Sequence, residues 1–97
     1  MGDEALFLAV LCMLLEEFKN ESERFSILIG SHQSKEVSDL AHYFKGIAAN
    51  LEVFNVLNLT ISIEQASKEE DWSSVTHAFD QLCAEVASIS SVYEKIN

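Results

Sequence analysis

Ninety-seven residues leave room for one domain, residues 1–97, and for no second core. With 48% apolar residues, no proline and three glycines, the composition disfavours a loop-rich or all-β chain. Sixteen acidic against six basic side chains, a formal charge of −10, exclude a nucleic-acid surface built on clustered Lys and Arg and disfavour an anionic membrane.

Residues 5–15 form an unbroken apolar run. It is too short to span a bilayer, which takes about twenty residues. Asp3 and Glu4 stand where a signal peptide would be positive, and no small-residue cleavage site follows. The run is expected to be the first half of a long helix, buried nearly all round, that continues through Glu16, Glu17 and Phe18 toward Leu28. Asp3 and Glu4 would complement the dipole at its start. Its surplus apolar surface also suits a dimer contact or a contact with a preceding segment of a longer protein.

Gly30 is expected to end this helix, with residues 31–34 as a polar turn and Ser34 as N-cap of a second helix reaching Leu51. Asn50, Glu52 and Asn55 mark a break. A third helix follows over about residues 53–67, with Val56, Leu59, Ile63 and Ala66 as one stripe. Residues 68–71 make a charged turn in which Asp71 serves as N-cap.

The fourth helix is the clearest. Trp72, Val75, Phe79, Leu82, Val86, Ile89, Tyr93 and Ile96 alternate steps of three and four, a heptad seam that should face inward. Four amphipathic helices with short connections predict an all-α, antiparallel up-down four-helix bundle with a long apolar N-terminal helix. Cys12 and Cys83 fall on apolar stripes without metal-type spacing and read as reduced core residues of a cytosolic protein.

The second helix carries the chemistry. At 100° per residue, Val37, Leu40, Ala41, Phe44, Ile47, Ala48 and Leu51 share one side. His42 lies nearly opposite. Ser38, Lys45 and Gly46 are its neighbours one turn away, and Ala49 is two turns on. The pattern holds an imidazole toward solvent, with an ammonium at i+3 and small residues clearing the surface below. A glycine inside a helix costs about 1 kcal/mol relative to alanine, so Gly46 asks for a chemical reason. An unperturbed imidazole titrates near pH 6.5 and is largely neutral at cell pH, free to act as a nucleophile through one ring nitrogen. A neighbouring ammonium can offset negative charge brought to the ring.

Ala41-His42-x-x-Lys45-Gly46-x-x-Ala49-Asn50-Leu51 resembles the signature of the histidine-containing phosphotransfer (HPt) domains of multistep two-component relays, and the ungapped match runs on through Val56, Leu59, Ile63 and Glu64. The resemblance extends to domain length and helix order. It implies that His42 accepts a phosphoryl group from a receiver-domain aspartate and returns it to another, that Lys45 helps hold the phosphate, and that Gly46 leaves room for it. Ser38, Asp39, Tyr43 and Ala49 become candidates for the rim that docks a receiver, and Asn50 matches a family position. The aspartate pocket and Mg²⁺ are expected in the response-regulator receiver, so the domain itself needs no cofactor and is a phosphoryl carrier rather than an autokinase. One departure touches the helix ending: many members carry a second glycine after the leucine, where this chain has Glu52.

The remaining histidines weigh little. His32 sits in a turn and His77 off the core seam, and no local spacing makes a zinc site with His42. No Gly-rich phosphate loop is present, which argues against nucleotide binding. The expected setting is cytoplasmic. The Met1-Gly2 start fits a C-terminal module cut from a hybrid, membrane-bound sensor histidine kinase, with a free-standing shuttle as the other form. The rival reading is a helical docking or inhibitory module with an idle histidine, working through the apolar first helix or the acidic surface.

Overall fold

The computed structural model describes residues 2–96, with side chains from Glu4 onward. Met1 and the Asp3 side chain, given roles above, lie outside the described residues. The described chain is all-α, with four helices: α1 (Gly2–Gly30), α2 (Ser34–Leu51), α3 (Phe54–Lys68) and α4 (Trp72–Ile96). α2 packs against α1 and α3, and α4 packs against α3 and α1, so the four close a ring. The α2–α3 seam is the most extensive and the α1–α4 seam the thinnest.

All three connections close in the same way. Gln33 N–H donates to Leu28 O and His32 N–H to Ile29 O. Val53 repeats the pair with Ala48 while Glu52 takes Ala49, and Asp71 pairs with Ala66 while Glu70 takes Ser67. This is the Schellman ending, whose pivot residue must be left-handed. His32, Glu52 and Glu70 supply it at φ of 56°, 56° and 57°. Glycine normally fills such positions because an L side chain there costs about 1–2 kcal/mol. Gly30 does end α1, as its place in the sequence predicts, but the left-handed position falls two residues later on His32. Glu52, the departure noted above, holds the conformation that a glycine would adopt freely.

Two helix starts differ in their chemistry. Asp71 caps α4 as predicted, accepting from Ser74 N–H at 3.3 Å and from the Ser74 hydroxyl at 2.7 Å. These Ser74 bonds hold its carboxyl below the usual range. Ser34 is not the N-cap of α2. It is the first helical residue, and its hydroxyl donates to Ser67 O at 2.6 Å, tying the start of α2 to the end of α3. Gln33 occupies the cap position without a side-chain capping bond, its amide donating back to Ser31 O instead.

The core is centred on four phenylalanines. Phe25 lies 4.9 Å from Phe79 and 6.3 Å from Phe44, and Phe18 meets Phe44 edge-on at 5.5 Å. Leu14, Val37, Val56, Ile63, Val75 and Leu82 fill the layers around them, all fully buried. On α3 the buried line runs Val56, Thr60, Ile63, Ser67, with Leu59 and Ala66 only partly covered. Thr60 and Ser67 tolerate burial because their hydroxyls donate to Leu57 O and Glu64 O.

The predicted burial of residues 5–15 does not hold. Leu11 and Leu14 are buried, whereas Leu6, Phe7 and Met13 are exposed. Length explains this: at 1.5 Å per residue, 29 residues run ~44 Å, and the 18-residue α2 runs only ~27 Å. Leu6, Phe7 and Val10 border Asn50 and Leu51 at the very end of α2, so the first turns of α1 have little left to pack on. The α4 seam thins for the same reason, from buried Val75, Phe79, Leu82 and Val86 to exposed Ile96. Cys12 and Cys83 are half-buried rather than core. Both line a groove of about 390 Å³ with Leu15, Phe18, Val86 and Tyr93. Burial, aided by Asp80, pushes the Cys83 thiol up and keeps it protonated. No helix among the described residues is long and apolar enough to cross a membrane.

Candidate functional site

The α2–α3 seam positions the site. The apolar stripe of α2 is buried as predicted: Val37, Leu40, Ala41, Phe44, Ile47, Ala48 and Leu51 all face the core. That burial fixes the rotation of the helix and turns His42 outward, with its side chain 67% exposed. Across the seam, the α3 carboxylate of Glu64 is only 12% exposed. It gathers three groups. Lys45 Nζ donates to Glu64 Oε1 at 2.7 Å, His42 Nδ1 lies 3.1 Å from Glu64 Oε2, and Lys68 Nζ stands 3.7 Å from Oε2.

The electrostatics follow from this geometry. The Lys45 ammonium, with help from His42 and Lys68, holds the Glu64 carboxyl below its ordinary range against the opposing effect of burial. An ionised carboxylate only accepts hydrogen bonds, so Nδ1 of His42 must carry the ring proton. In the neutral ring Nε2 then holds the lone pair, and it has no hydrogen-bond partner among the described residues. Glu64 thus orients the ring and selects its neutral tautomer, on a side chain that is largely exposed.

Gly46 completes the surface beneath. A Cβ built there meets no heavy atom within 4 Å, so no neighbouring side chain or backbone requires the glycine. Its cost in the helix is not repaid by internal packing. Ala49, one turn further, is exposed.

The other candidates are placed unevenly. Ser38 is buried and offers little to a docking partner. Asp39 is exposed and paired with Lys35 at 2.9 Å, a contact that raises the Lys35 pKa but is too solvated to add much stability. Tyr43 is half-exposed on the α1 side, with its ring edge-on to Phe44. Its hydroxyl donates to Glu17 at 3.2 Å, which pushes the phenol pKa up. Asn50 is exposed beside the apolar groove of Leu6, Phe7 and Val10. His32 is stacked flat on Trp72 at 4.8 Å, and His77 is exposed. Neither joins the Glu64 cluster, and among the described residues no three His, Cys, Asp or Glu side chains converge as a metal site.

Sequence reasoning assigned no role to Glu64 or Lys68. The signal for Glu64 was its place beside Ile63 on the inner side of α3, because a carboxylate at a buried position needs a cation. Lys68 is one helical turn beyond it. Comparison of the chain with protein-family models, with curated proteins and with solved structures returned no match.

Proposed function

We propose that this chain is a histidine phosphotransfer domain of a two-component relay, folded as an antiparallel up-down bundle, with His42 as the phosphoacceptor. One observation carries the reading: an exposed imidazole has Nδ1 held by an anionic Glu64, Nε2 free, and clear space over Gly46. The fold alone does not account for that combination. The antiparallel arrangement is supported by the short Schellman connections and by the closed ring of helix contacts.

The chemistry follows from the named atoms. The Nε2 lone pair attacks the phosphorus of a receiver's aspartyl phosphate. The P–Nε2 bond forms while the P–O bond to the aspartate breaks, and its electron pair leaves with the carboxylate oxygen. The proton stays on Nδ1, so the ring becomes a phosphoimidazolium whose positive charge faces Glu64. Lys45 supplies positive charge to the phosphoryl oxygens. The return step to a second receiver reverses these movements. Activation of the leaving group is assigned to the receiver, together with its Mg²⁺. Asp39, Tyr43, Ala49 and Asn50 form the proposed docking rim, and the setting is the cytoplasm, either as part of a sensor kinase or as a free shuttle.

The exposed Leu6, Phe7 and Met13 favour a second reading, a docking module in which His42 is idle. One experiment separates them. Phosphorylated receiver domains are mixed with the wild-type protein and with His42→Gln. Transfer predicts an acid-labile, alkali-stable label on the wild type that is absent from the variant. Receiver binding without any label across a panel of receivers would overturn the relay reading in favour of docking.

A further inference from the structure

The site holds two ammonium groups around one carboxylate, and the phosphotransfer reading uses only one of them. Lys45 is closed on Glu64 at 2.7 Å, while Lys68 waits at 3.7 Å with its side chain 64% exposed. This poses a problem of charge. A phosphoryl group on Nε2 competes with Glu64 for Lys45, and it carries more negative charge than a carboxylate. Glu64, only 12% exposed, would then lose its close cation, and a nearly buried carboxylate without one is costly.

We propose that Lys68 is a standby counter-ion: when Lys45 moves to the phosphoryl group on His42, Lys68 closes on Glu64 and keeps it ionised. The inference rests on the phosphotransfer reading and adds a residue to it. The geometry suits the exchange. Lys68 is four residues beyond Glu64 on the same helix face, already beside Oε2, the oxygen that also meets His42 Nδ1. Its flexible four-carbon stem needs only a small shift to reach hydrogen-bonding distance. Lys45 and Glu64 sit on different helices, so Lys45 can leave without disturbing α3. Lys68 is thus a positioning residue, acting on the phosphorylated ring through Glu64.

The test uses phosphoramidate as a small phosphodonor and limiting acetic anhydride with mass spectrometry to read the reactivity of each lysine. Phosphorylation should protect Lys68 about threefold relative to exposed Lys35, the factor that a part-exposed ion pair supplies. In Glu64→Gln the protection should vanish. A second arm leaves the buried carboxylate untouched: Lys68→Met should lower the steady level of phosphohistidine about threefold, and Lys68→Arg should restore it. Unchanged Lys68 reactivity on phosphorylation, or an Arg variant as low as Met, would overturn the proposal. Protection that persists in Glu64→Gln would place Lys68 on the phosphoryl group itself and overturn it as well. Absence of any phosphohistidine in the wild type, seen by ³¹P NMR before acetylation, would remove the phosphotransfer reading and this inference with it.

Discussion

Glu64→Gln isolates the charge at the centre of the site. The amide keeps the shape of the side chain and an acceptor for His42 Nδ1, while it removes the negative charge and turns an N–H donor toward Lys45 in place of the second oxygen. A hydrogen bond to a charged group contributes about 1.5–3 kcal/mol and a neutral one about 0.5–1.5 kcal/mol. The ion pair that disappears is the one with Lys45 at 2.7 Å, whose side chain is 30% exposed, so solvent screens part of the difference. His42 and Lys68, both about two-thirds exposed, add little. The expected destabilisation at pH 7 is about 1–2 kcal/mol. With a urea slope of about 1 kcal/mol per molar for so small a domain, the midpoint should fall by roughly 1–2 M. The pH dependence has a definite sign. The folded carboxyl is held below its ordinary range, chiefly by Lys45, so its stabilisation is complete above the unfolded value of about 4.3. It is lost as pH falls through the lower folded value, where the wild-type side chain also becomes neutral. Urea titrations of both proteins at pH 7 and in steps below pH 5 should therefore converge. Equal midpoints at pH 7, or a gap that does not narrow in acid, would refute the reasoning.

Four further outcomes are expected. Gly46→Ala should raise stability by up to about 1 kcal/mol in thermal melts, because its Cβ meets nothing and alanine is the better helix former. Gly46→Leu should keep the circular-dichroism helix signal and slow phosphotransfer, and an unchanged transfer rate would remove the clearance argument. Glu52→Gly should stabilise by about 0.5–1 kcal/mol in urea, the relief of a left-handed side chain less the added freedom of the unfolded glycine. Phe79→Ala, which takes a ring from between Phe18 and Phe25, should cost about 3–5 kcal/mol, read as a large drop in the urea midpoint.

Much of the fold is legible in the order of the residues. The 3.6-residue spacing of Val37 through Leu51 determines which side of α2 is buried, and thereby that His42 faces solvent with Lys45 and Gly46 around it. The alternation along α4 marks its inward side down to Val86, and the short polar breaks locate every turn to within a few residues. These features are local. Each depends on residues a few positions apart on one helix, and the chain states those distances directly.

What required the tertiary structure depends on separations of nineteen residues or more. Residues 5–15 are as apolar as a core helix, but whether they are covered depends on how far α2 reaches, and it ends beside Leu6, Phe7 and Val10. Ser34 has the chemistry of an N-cap, yet the carbonyl of Ser67, thirty-three residues away, takes its hydroxyl. The largest difference is at the site. Periodicity places Lys45 beside His42 but leaves it without a partner, because the carboxylate that engages both belongs to α3. Helical spacing tells which residues share a face. Only the packing of α2 on α3 decides that Glu64 sits between Lys45 and His42, where burial makes one negative charge orient the ring and hold two ammonium groups.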